Sequence, residues 1–146
     1  MTPKDRACKS AEVMFANDAA SAGLGMVLVD VGPGSAVMTM RVRAKMLNGH
    51  KICHGGFIFA LADSAFAFAC NSYNQNTVAQ QNQITFVSPA KAEETLRAEA
   101  VEVSRIGRSG TYDVTVTGED GRIIALLRGL SRTVKGQHFS EEEPYP

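Results

Sequence analysis

Most residues that could do chemistry lie between Asn48 and Ser72. His54-Gly55-Gly56 runs directly into FIFALADSAFAFA, where Asp63 is the one carboxylate in an almost unbroken apolar stretch. A charge in such surroundings costs free energy unless something compensates it. One reading is a structural acid paired with a neighbour. The other is a catalytic acid, because apolar surroundings make a carboxylate a stronger base. Gly55 and Gly56 favour the second reading. They stand where a helix begins, with open backbone N–H groups, a dipole that favours negative charge, and no side chain to keep a ligand away. An N–H in that place can polarise a carbonyl and stabilise the oxyanion formed when it is attacked.

Spacing limits how these groups act together. Gly55 and Asp63 are eight residues apart, or ~12 Å along a helix. One carbonyl carbon cannot meet both. Two such helices, antiparallel about a two-fold axis, would bring Gly55 of one chain near Asp63 of the other. An obligate homodimer with shared sites is therefore expected.

Other side chains have a bland and a sharp reading. His54 could be a general base or a residue that orients the helix start through the backbone. His50, Cys53 and His54 fall within five residues, but no fourth ligand or repeated spacing accompanies them, so no metal is expected. Cys53 as a nucleophile lacks an evident oriented base. Arg105, Arg108 and Ser109 lie in RIGRSG, which is either a solvated hairpin turn or a clamp for phosphate groups. Phe57, Phe66 and Phe68 read mostly as core.

The elements that must hold these groups follow from periodicity. A modest amphipathic helix is expected over Lys4 to Ala19, with Gly23 and Gly25 in the following turn. Strands are expected at Met26 to Val31 and Ala36 to Arg43, around Gly32-Pro33-Gly34. A polar loop leads to a helix from Phe57 to about Ser72, apolar on every face and so enclosed by protein on most sides. Four strands follow, at Val78 to Val87, Thr95 to Ser104, Tyr112 to Thr117 and Ile123 to Val134. Short connections make neighbours antiparallel and exclude a parallel βαβ sheet. The expected class is α+β, an antiparallel sheet curled around a central buried helix.

Length and composition bound the rest. The 146 residues suit one domain over 1–146, with about 137–146 as a mobile polar tail. Fifteen basic and fifteen acidic residues balance, so no basic excess points to nucleic acid. Neither a signal peptide nor a membrane-length apolar run is apparent. Three unpatterned cysteines fit reduced thiols, and a cytoplasmic protein is expected.

The pattern Asn48-x5-His54-Gly55-Gly56 followed by LADSAFAFACNS (Leu61 to Ser72) resembles the hotdog-fold acyl-CoA thioesterases, most of all their phenylacetic-acid-degradation (PaaI) branch. The likeness extends over NDAASAGLGM, MLNGHKICHGG, ITFVSPA, GTYDV and ALLRG. It implies a homodimer, often a tetramer, hydrolysing phenylacetyl-CoA or ring-hydroxylated or related aryl-acyl-CoA thioesters. Coenzyme A would be part of the substrate and no cofactor would be needed; neither nucleic acid nor membrane would be a partner. Asp63 takes the position of the acid that activates water or attacks the carbonyl, Gly55 that of the oxyanion N–H, and Asn48 that of the residue orienting water or carbonyl. His54, Gly56, Arg105, Arg108 and Ser109 would hold substrate. A serine that assists from the next strand in a related branch aligns with Ala79, leaving Gln80, Gln81 or nothing in its place. A medium-chain thioesterase, a dehydratase and a non-catalytic acyl-CoA-binding protein of the same fold are the alternatives.

Overall fold

The computed structural model describes residues 1–141. Its first helix, α1 (Pro3–Ala16), starts with a capping box. Thr2 Oγ1 accepts from Asp5 N at 3.0 Å, while Asp5 Oδ2 accepts from Thr2 N at 3.2 Å. The chain then makes a second short helix, α2 (Ala19–Gly23), where one continuous helix to Ala19 was expected. Asp18 is the cause. Its side chain accepts from Ser21 N at 2.9 Å and from Ser21 Oγ at 2.6 Å. That cap starts a new helix after α1 has ended at Asn17.

Strands β1 (Val27–Gly32) and β2 (Ser35–Arg41) form a hairpin, and a single 3₁₀ turn at Ala44–Met46 opens the polar loop. Helix α3 (Gly55–Cys70) comes next, then β3 (Thr77–Phe86), β4 (Thr95–Ile106), β5 (Ser109–Thr117) and β6 (Ile123–Thr133). All six strands form one sheet in the order β1-β2-β4-β5-β6-β3, every neighbouring pair antiparallel. Alternation decides which face each strand buries. In β2 it is Ala36, Met38 and Met40, and in β5 it is Tyr112, Val114 and Val116. These side chains close on Leu61, Ala65, Phe66 and Phe68 of α3. Each large apolar side chain buried there is worth about 2–3 kcal/mol. Gly129 in β6 lets the sheet approach the helix, because a Cβ at that position would lie 2.6 Å from the Phe66 ring.

Two expectations change. The β4–β5 hairpin is tighter than RIGRSG suggested: Ile106 pairs with Ser109, so Arg105 and Ser109 belong to strands and only Gly107-Arg108 turn. Helix α3 is enclosed on most sides, as expected, and Phe59, Ala60, Asp63 and Ala67 on its remaining face are half-buried. The strand nearest that face, β3, is the last in the sheet and covers it only in part. Residues 137–141, expected as the start of a mobile tail, are tied down. Asn74 bonds to the backbone of His138 and Phe139, and Glu141 pairs with Arg6 at 2.9 Å in a half-buried setting. Residues 142–146 of that tail lie outside the described residues. No helix among the described residues is long and apolar enough to cross a membrane.

Candidate active site

The start of α3 is assembled by its loop. Asn48 closes the loop on itself: its N donates to Ile52 O, and its Oδ1 accepts from His50 N at 2.9 Å and Ile52 N at 3.4 Å. That commits the oxygen of Asn48 to the backbone and leaves its NH₂ as the part able to serve a ligand. His54 donates its N–H to Met46 O at 2.8 Å and caps the helix, its Nδ1 accepting from Gly56 N at 2.9 Å. Phe57 N donates to His54 O. Of the first three amides of α3, the one for which the described residues supply no acceptor is that of Gly55. His54 and Gly56, both expected at the substrate, thus satisfy each other, and the open oxyanion-type donor is Gly55 N–H.

A cavity of about 380 Å³ lies against this amide, with Asn48, Ile58, Phe86 and Pro89 in its walls. The Phe86 ring lies over Gly55 so closely that a Cβ there would be 3.0 Å from its Cζ. Cys53 also lines the cavity, and burial pushes its thiol up to about 11, which disfavours the thiolate a nucleophile needs.

Asp63 is elsewhere. It sits more than two turns along α3, outside that cavity, on the half-exposed face beside β3. Its Oδ1 accepts from Asn82 Nδ2 at 2.8 Å. Gln80, Gln81 or nothing was left in the assisting serine's place, and neither glutamine hydrogen-bonds to Asp63 among the described residues. A β-bulge explains why Asn82 does. Ala79 pairs with Ser131 and Gln81 with the adjacent Leu130, so Gln80 is an extra residue that reverses the alternation. Asn82 and Ile84 turn inward in consequence, while Ala79, Gln80 and Gln81 are exposed. The unbroken polar run Gln80-Gln81-Asn82-Gln83 inside a strand was the available signal for such a break. Asn82 Oδ1 is buried and meets no donor among the described residues. Leaving such a group unpaired costs about 1–3 kcal/mol.

The β4–β5 turn forms a separate cavity of about 340 Å³ from Gln75, Arg105, Gly107, Arg108 and Thr133. The Arg105 guanidinium stacks over the Tyr73 ring, 3.7 Å from its centroid. Such cation–ring stacking is favourable, and Tyr73 in turn donates to Glu102 Oε1. Ser109 and Arg108 are exposed beside it. Asn48 and Gly55 therefore share one cavity within the chain, Arg105 and Arg108 another, and Asp63 neither.

Comparison with known proteins places this arrangement. The family model described as Thioesterase superfamily matches residues 50–125. The acyl-coenzyme A thioesterase PaaI of Escherichia coli (strain K12) is 41% identical over 131 residues, 90% of this chain and 94% of that protein. The solved structure of E. coli PaaI, from the phenylacetic acid degradation operon, aligns at a TM-score of 0.92 with 40% identity, covering 93% of this chain and 99% of the other. A hypothetical thioesterase of Streptococcus pneumoniae TIGR4, solved with coenzyme A, aligns at a TM-score of 0.78 with 25% identity, covering 85% and 96%. Sheet order, buried helix, cavity and likeness over nine-tenths of the chain agree: the protein belongs to the thioesterase superfamily and is a hotdog-fold thioester hydrolase.

Proposed function

We propose that the protein hydrolyses acyl-CoA thioesters of the arylacetyl class, phenylacetyl-CoA and its ring-hydroxylated relatives, in a cytoplasmic homodimer paired further into a tetramer. The observation that carries this reading is the separation on α3. The open Gly55 N–H faces a cavity that Asp63 does not reach, and Asp63 stands on the half-exposed side of the helix near the terminal strand β3. A second chain docked along β3 would bring its Asp63 to the first chain's Gly55. Val78, Phe86 and Val87, each about half exposed, give that strand and its end apolar surface to bury.

In such a site the thioester carbonyl oxygen accepts from Gly55 N–H, with the Asn48 NH₂ available to the carbonyl or the water. A water gives a proton to Asp63 of the other chain while its oxygen adds to the carbonyl carbon. The tetrahedral oxyanion collapses, the carbon–sulfur bond breaks, and the coenzyme A thiolate leaves to be protonated. Attack by the carboxylate itself would give a mixed anhydride that water then opens, and single-turnover oxygen-18 incorporation into Asp63 separates the routes. The apolar walls and the Phe86 ring suit an aromatic acyl group, and the operon of the E. coli relative adds support. Coenzyme A stays part of the substrate, with no separate cofactor, and Arg108 with the stacked Arg105 would face its phosphates.

The decisive assay is release of free thiol from phenylacetyl-CoA and from a panel of aryl and straight-chain acyl-CoAs. Asp63→Ala should lower kcat about 10²- to 10⁴-fold. A variant as active as the wild type would overturn the reading, and preference for medium chains would correct the acyl class.

A further inference from the structure

We propose that Asn82 is a positioning residue that decides which oxygen of Asp63 reacts. The inference rests on the catalytic role given to Asp63 above. Asn82 Nδ2 donates to Oδ1 at 2.8 Å, whereas Oδ2 has no donor among the described residues. A carboxylate on a flexible χ2 torsion presents both oxygens in turn. Here one is anchored across to the neighbouring strand, so Oδ2 is the oxygen left to face water or thioester.

The Asn82 amide itself argues that this bond is its purpose. Its Oδ1 is buried without a partner, so the side chain is satisfied only at the end that touches Asp63. An asparagine kept for packing would bond at both ends, as Asn71 does at the far end of the same helix. The backbone agrees. The bulge at Gln80 reverses the strand's alternation just before Asn82, and without it Gln81 would point at the helix instead. A bulge of this kind re-aims one side chain while disrupting the ladder locally.

The test is steady-state kinetics and thermal melting of Asn82→Leu, Asn82→Asp and Asn82→Ser beside Asp63→Ala and the double variant Asn82→Leu/Asp63→Ala. Asn82→Leu should lower kcat about 10- to 100-fold, with KM within a factor of about three and an undiminished melting temperature. Asn82→Asp keeps the shape but presents a second carboxylate in place of the donor, and should fall at least as far. Asn82→Ser, which retains a donor on a shorter side chain, should recover part of the loss. On the Asp63→Ala background, Asn82→Leu should change nothing further. The proposal fails if Asn82→Leu keeps kcat within twofold, or loses activity only in step with melting temperature. If those results come with an inactive Asp63→Ala enzyme, the thioesterase mechanism stands without Asn82; if Asp63→Ala is itself fully active, the mechanism goes too.

Discussion

The two ends of α3 use the same kinds of group to opposite purposes. At the C-terminal end polar partners are complete. Asn71 donates to Ala67 O and Thr77 O and accepts from Thr77 N and His138 Nε2, while Ser72 Oγ donates to Ala69 O and accepts from Gly34 N. At the N-terminal end an equally dense loop arranges its bonds so that one backbone amide is left out. Asn48 Oδ1, His54 Nδ1 and His54 O occupy backbone N–H groups from His50 to Phe57, and the Gly55 amide stays open against a cavity. Buried or half-buried polar groups are ordinarily paired. Saturation marks the end that holds the fold together, and selective vacancy marks the end that, on the proposed mechanism, would meet substrate.

That contrast is broken most sharply by removing the open backbone donor. Gly55 is the first helical residue, where proline is tolerated because its missing N–H has no helical partner to lose. His54 before it already has φ −61° and ψ 133°. That is the extended conformation a following proline requires. Gly55→Pro should therefore melt within a few degrees of wild type yet lose about 10²- to 10³-fold in kcat, the usual effect of losing one oxyanion donor. Gly55→Ala keeps the N–H and asks the half-exposed Phe86 ring to shift by a few tenths of an ångström, so it should retain most activity. Equal losses in both variants would mean that space, not the amide, matters. Coexpressing Gly55→Pro with Asp63→Ala sharpens the same point: random pairing restores one intact site in half of the dimers, and about a quarter of wild-type activity should return. No recovery would place both groups on one chain.

What the residues disclosed in advance follows the same division. Elements whose burial obeys a period were legible: β2, β5 and α3 announce themselves by alternation or by an apolar run. Gly55 and Asp63 stood out because a side-chain-free residue at a helix start and a carboxylate in an apolar run lack a simple structural reason, whereas Asn48 entered only through the family resemblance. What was not legible depended on one-residue irregularities and on distant partners. The Gln80 bulge turned Asn82, which sequence reasoning did not single out, toward Asp63, a shift that counting along β3 cannot see. Asp18 split the first helix through a cap lying within the same apolar-polar texture. The anchoring of 137–141 needed Asn74 and Arg6, both far away in the chain.

The saturated end should respond in the opposite sense to the open one. Asn71→Ala removes four hydrogen bonds to nitrogen and oxygen partners, and a weak one to Cys70 Sγ, from a side chain that is almost wholly buried. At about 1 kcal/mol each, less what water recovers, the loss is about 3 kcal/mol. For a chain of this size that lowers the melting temperature by roughly 6–12 °C. Activity per folded molecule at ordinary assay temperature should stay within about twofold. A selective loss of kcat without melting change would erase the distinction between the ends.

The smallest effect expected is a pH dependence carried by His138 at that same end. Burial pulls its imidazole below the ordinary value of 6.5, and a hydrogen bond to the Gln75 backbone opposes this only in part. Its Nε2 lies 2.8 Å from Asn71 Oδ1, which already accepts from Thr77 N. An amide oxygen cannot donate, so the ring must be the donor there. In the unfolded chain the imidazole takes a proton as pH falls through 6.5, whereas in the folded chain it resists until lower pH. The folded state binds fewer protons in that window, so stability is intact above pH 6.5 and declines below it. Melting curves at steps between about pH 8 and pH 5 should show this decline in the wild type and a flatter one in His138→Gln. The amide of that variant can still donate to Asn71 but cannot titrate. If both proteins lose stability in parallel, the acid sensitivity originates elsewhere and His138 is only a neutral part of the seal.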